Sequence, residues 1–96
     1  NKDESNPKTK KQQKAAGFLQ RYEEAAQIAR ALKEPITINT IARNIKPKSI
    51  SAPAISHSIS KYKSEIIGLL NSSDTNWMLI RTYFTPIKNL AEKFTN

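Results

Sequence analysis

An all-α fold is predicted by three features. Apolar residues recur at helical spacing in segment after segment, only two glycines occur, and Pro35, Pro47 and Pro53 fall where such segments start or stop. The 96 residues suit one small domain, expected to be a bundle of four to five helices. Residues 1–13 are expected to form a flexible, disordered basic arm and residues 14–96 the helical domain. The numbering begins at Asn1 without a methionine, which leaves open a fragment of a longer protein.

The arm reads NKDESNPKTKKQQ, without a large apolar residue to offset the entropy of ordering. A first helix is expected from about Lys14 to Lys33. Phe18, Tyr22, Ala25, Ala29 and Leu32 form its apolar stripe, and Pro35 ends it. Glu23 and Glu24 beside Arg21 and Arg30 read as a solvated face, because adjacent carboxylates cannot meet at one point on a helix. Thr37 is a plausible cap for a short helix to about Ile45, burying Ile38, Ile41, Ala42 and Ile45. Pro47 breaks the pattern, and Ile50 is expected to plug the core. Ser51 or Ala52 then starts a longer helix, with Pro53 tolerated in its first turn. Ile55, Ile59, Tyr62, Ile66 and Leu69 make its stripe, and the chain loosens from Gly68 to Ser73. Ser73 or Asp74 begins a last helical region over 74–95, on which Trp77, Ile80, Phe84, Ile87, Ala91 and Phe94 share a face. Pro86 must kink or break it, with Thr85 capping the second half. This region is expected to be a helical hairpin closing the core or a dimerisation surface, the homodimer contact running through Trp77, Phe84 and Phe94.

A formal charge of +8 favours a polyanionic partner, nucleic acid first and an anionic membrane surface second. Residues 37–70 supply a matching architecture: a short apolar helix, a connection, and a longer helix with a basic, hydroxyl-rich outer face. That is how a helix-turn-helix reader of duplex DNA is built. The connection is longer than usual and lacks glycine, which favours an extended turn. At about 100° per residue, His57, Lys61 and Ser64 lie nearly opposite the apolar stripe, with Ser60 beside them. Ser56, His57, Ser60, Lys61 and Ser64 are therefore expected toward base edges and phosphates. Arg43, Lys46, Lys48 and Lys63 are expected along the backbone.

Chemistry beyond binding finds little support. There is no cysteine, one histidine, no glycine loop that would cradle a phosphate, and no catalytic constellation. The expectation is a non-enzyme without cofactor or metal. No run approaches the ~18 apolar residues of a membrane span. An intracellular, cytoplasmic and nucleoid-associated protein is expected.

Residues 35–45 read Pro-Ile-Thr-Ile-x-x-Ile-Ala-x-x-Ile. From Ser51 the chain continues Ser-x-x-x-Ile-x-x-x-Ile-x-x-Tyr-Lys-x-Glu-Ile. This pattern resembles the N-terminal DNA-binding domain of KfrA-type plasmid proteins and of some transposition-accessory proteins. The resemblance implies a regulator or accessory protein of a plasmid or mobile element. The second helix would read the site and a following helical region would dimerise. A second likeness is carried by Thr75 to Phe94, which resembles the closing helices of the core-binding domain of tyrosine recombinases. It implies a DNA-gripping part whose catalytic half would lie beyond Asn96. A helical protein-interaction module, with charge serving only solubility, is the third reading.

Overall fold

In the computed structural model, which describes residues 10–46, 48–72 and 76–94, all regular structure is helical. The elements are α1 (Lys10–Ala31), α2 (Ile38–Asn44), α3 (Ala52–Lys61), α4 (Lys63–Ser72), α5 (Met78–Tyr83) and α6 (Thr85–Phe94). The all-α expectation holds, and the count exceeds four to five because the helix expected from Ser51 to Leu70 is divided at Tyr62.

Helix α1 is the axis, packed against α2, α4 and α5. It starts at Lys10, so Lys10–Gln13 belong to the helix rather than to the arm. Lysine and glutamine are good helix formers and extend a helix that Ala15 and Leu19 already anchor. Residues 1–9 of the expected arm lie outside the described residues. The buried face of α1 is Ala15, Leu19, Tyr22, Ala25, Ala26 and Ala29. Leu32, expected on the stripe, is 59% exposed because the helix has ended before it. Lys33 turns left-handed at φ 60, its N–H donates to Arg30 C=O and that of Glu34 to Ala29 C=O. Those two bonds satisfy carbonyls the helix end would otherwise leave open.

Thr37 caps α2 reciprocally with Thr40: each backbone N–H donates to the other's hydroxyl oxygen, at 2.8 and 3.3 Å. Thr40 Oγ1 also donates to Pro35 C=O at 2.6 Å, fixing the extended approach to the helix. Ile41, Ala42 and Ile45 are buried, while Ile38 is half-buried against the core. In the connection, the Ile50 N–H donates to Ala42 C=O. Ile50 is not the plug expected of it; its side chain is 36% exposed and Ile45 is the buried residue there. Pro47 lies outside the described residues.

Ser51 Oγ accepts from the Ala54 N–H and caps α3, with Pro53 in the first turn. The stripe Ile55, Ile59, Tyr62, Ile66 and Leu69 is buried throughout. The helix nonetheless bends at Tyr62 (φ −107°, ψ 24°). Tyr62 N–H still reaches Ser58 C=O and Ile66 N–H reaches Tyr62 C=O, so this is a kink and not a loop. Three serines in the preceding two turns make the helix easy to distort there. The loosening expected at Gly68 is absent: α4 runs through it to Ser72.

Two long-range contacts organise the C-terminal half. Glu23, assigned by its sequence to a solvated face, is buried, and its carboxylate accepts from the N–H groups of Leu79 and Ile80 at 3.1 Å. It caps α5, whose own preceding residue, Trp77, is left-handed at φ 57 and offers no side-chain cap. Ser73 and Asp74, expected to start the last helix, lie outside the described residues, as does Thr75. Arg81 donates to Leu70 C=O and to Asn76 C=O, both at 2.8 Å, closing the end of α4. Pro86 breaks the last region after Phe84 and sits in the first turn of α6, where its missing N–H is not needed; Thr85 is the first residue of that helix rather than a cap outside it. Ile80, Phe84, Ile87 and Ala91 are buried within the chain, and Trp77 packs at their edge. This stripe closes the core; the Phe94 side chain lies outside the described ones. Tyr22 joins the halves, its ring edge-on to Phe84 at 6.1 Å and stacked with Phe18 at 6.3 Å.

Candidate nucleic-acid interface

The burial of Ile55 and Ile59 against the core fixes which side of α3 faces outward. Ser56, His57, Ser60 and Lys61 are all exposed on that side, and no acidic residue occurs on the helix. Past the kink, Lys63 and Ser64 continue the exposed polar surface into the first turn of α4, where Glu65 is half-buried. The Lys61 ammonium lies 5.6 Å from the centre of the Tyr62 ring, a cation–π contact that holds it near the kink. Helix α2 packs against α3 from behind, and the Ser51 cap fixes where α3 starts.

The remaining candidates are not equivalent. Arg43 is exposed, but its guanidinium lies 3.1 Å from the Glu34 carboxylate, which also accepts from Asn44 Nδ2. Its charge is thus partly neutralised, and it ties the end of α2 to the segment after α1. Lys46 and Lys48 are exposed in the connection 45–51. They line a hollow of about 290 Å³ together with Phe18, Arg21, Ile45 and Ile50. Among the described residues no salt bridge engages Arg21, Lys46 or Lys48. Arg21 is therefore a cation of this surface that apolar spacing does not single out. The one available signal is its place one turn after Phe18, on the same side of α1.

Beneath α3, the Tyr22 hydroxyl is buried, and the Ser58 hydroxyl approaches it without the geometry of a full hydrogen bond. Burial pushes its pKa up from 10.0 to about 12, with Ser58 and the Arg21 charge pulling it part of the way back. Among the described residues no three of His, Cys, Asp and Glu gather as metal ligands do, and no helix is long and apolar enough to cross a membrane. Comparison of the chain with protein-family models, curated proteins and solved structures gives no match.

Proposed function

We propose that this domain binds duplex DNA in a sequence-specific manner, with α3 as the reading helix. The observation that carries the reading is the outer face of α3. It combines short hydroxyls, one imidazole and one lysine, without a carboxylate, on a helix braced by a shorter one behind it. Serine and histidine reach base edges from a helix lying in the major groove, while lysine at its end meets phosphate. In this arrangement Lys46, Lys48 and Lys63 position the backbone on either side of α3. Arg43, paired with Glu34, acts first as a brace for α2. A role as a regulator or accessory protein of a plasmid or mobile element is the biological setting this reading favours.

Selection of bound sites from a random duplex library, followed by titration of the selected site and of random DNA, tests the reading. His57→Ala is expected to cost about 1–3 kcal/mol on the selected site and less on random DNA, as a base-edge contact does. Failure to enrich any sequence, or equal losses on both DNAs, would remove His57 and the outer face of α3 from the reading role.

A further inference from the structure

The hollow between α1 and the connection 45–51 has no part in reading bases, yet it gathers positive charge. Arg21 comes from the middle of α1, whereas Lys46 and Lys48 come from the link between α2 and α3. The floor is apolar, made by Phe18, Ile45 and Ile50. Like charges drawn to one recess repel each other, and among the described residues none of the three is in a salt bridge. An anion seated there would relieve the repulsion. A volume of about 290 Å³ has room for one sugar–phosphate unit, whose deoxyribose is apolar on one face.

We propose that Arg21, Lys46 and Lys48 form a cradle for a backbone phosphate of the bound duplex, with the attached sugar lying against Phe18 and Ile50. The proposal rests on the DNA-binding reading of α3 and extends its footprint onto α1. Continuity with that surface supports DNA over a free small anion. The Phe18 ring meets Tyr62 at 5.5 Å, and the Lys61 ammonium sits over the same Tyr62 ring. The hollow and the end of α3 thus share a wall. A guanidinium suits the role because its forked donors can take two phosphate oxygens while the lysines act as point charges.

The test is equilibrium binding of the intact domain to random duplex DNA across a salt series. Arg21→Gln is expected to flatten the slope of log Kobs against log salt by about 0.9, the value of one lost phosphate contact. Arg21→Lys should restore most of that slope, and Arg30→Gln, exposed on the same helix outside the hollow, should leave it unchanged. If circular dichroism shows that Arg21→Gln does not fold, Lys46→Gln/Lys48→Gln carries the same test from the exposed connection, with a flattening of about 0.9, because the two lysines share one phosphate with Arg21. A parent that binds duplex DNA while the folded hollow variants match it at every salt overturns the cradle and leaves α3 as the reader. Weaker binding with an unaltered slope also overturns it, since no phosphate contact has then been lost. A slope change seen on duplex RNA but not on duplex DNA does the same. A parent that binds no duplex at all removes both proposals together.

Discussion

Two buried polar side chains of α1 show how single residues set stability here. Glu23 supplies the acceptor for the first N–H groups of α5, so truncation leaves those donors without a partner. Glu23→Ala should lower stability by about 1–3 kcal/mol in urea unfolding. Glu24→Ala, exposed and bonded to Gln20 in its own helix, should stay within about 0.5 kcal/mol. Tyr22 poses the opposite case, a hydroxyl that no well-formed hydrogen bond engages among the described residues, on a ring that is needed for packing. Its folded pKa of about 12 lies above the unfolded value of 10.0. The neutral phenol therefore contributes stability fully below pH 10, and this contribution is lost as pH rises through 12. The difference is about 3 kcal/mol. Tyr22→Phe keeps the ring and removes the titration. Its unfolding free energy should fall less steeply than the parent's between pH 10 and 12, and parallel curves would contradict the assignment. Glu23 was not legible from spacing alone. At about 100° per residue it lies about 40° from Leu19, at the margin of the buried face, where a charge can be either solvated or enclosed. Only the approach of α5 decides which.

At the scale of elements, the apolar stripes were legible and the breaks between helices were not. Ile55, Ile59, Tyr62, Ile66 and Leu69 are buried as their 4-3-4-3 spacing requires, across a kink that leaves the spacing untouched. Periodicity reports which face is buried and says little about a change of axis within that face. The caps at Thr37 and Ser51 were legible because their side chains act on neighbouring residues. The start of α5 was not, because its cap comes from another helix. Gly68 shows the limit of reading a glycine as a breaker: it lies inside α4, with nothing within 4 Å of where a Cβ would stand. Gly68→Ala should accordingly stabilise the domain by about 0.5–1 kcal/mol, seen as a higher urea midpoint at unchanged m-value. A destabilised variant would mean that this position needs glycine for close packing.

For the whole molecule, α1 both spans the core and reaches the surface that carries α3. Its inner face packs through small alanines against α2, α4 and α5, while Arg21 lies exposed beside the connection. The exposed face of α3 was legible as the complement of its apolar stripe. The three-cation hollow was not, since it joins residue 21 to residues 46 and 48 through tertiary packing. The pairing of Arg43 with Glu34 escaped for the same reason. The central claim, that this basic surface meets DNA phosphates, is tested most directly by the salt dependence of duplex binding by the intact domain, with and without Lys61→Ala. If the cradle of Arg21, Lys46 and Lys48 neutralises one phosphate and Lys61 and Lys63 neutralise one each, the slope of log Kobs against log salt should be roughly −3. Lys61→Ala should reduce its magnitude by about 0.9 while circular dichroism stays that of the parent. A slope near zero, or a Lys61→Ala variant that follows the parent at every salt concentration, would contradict the account.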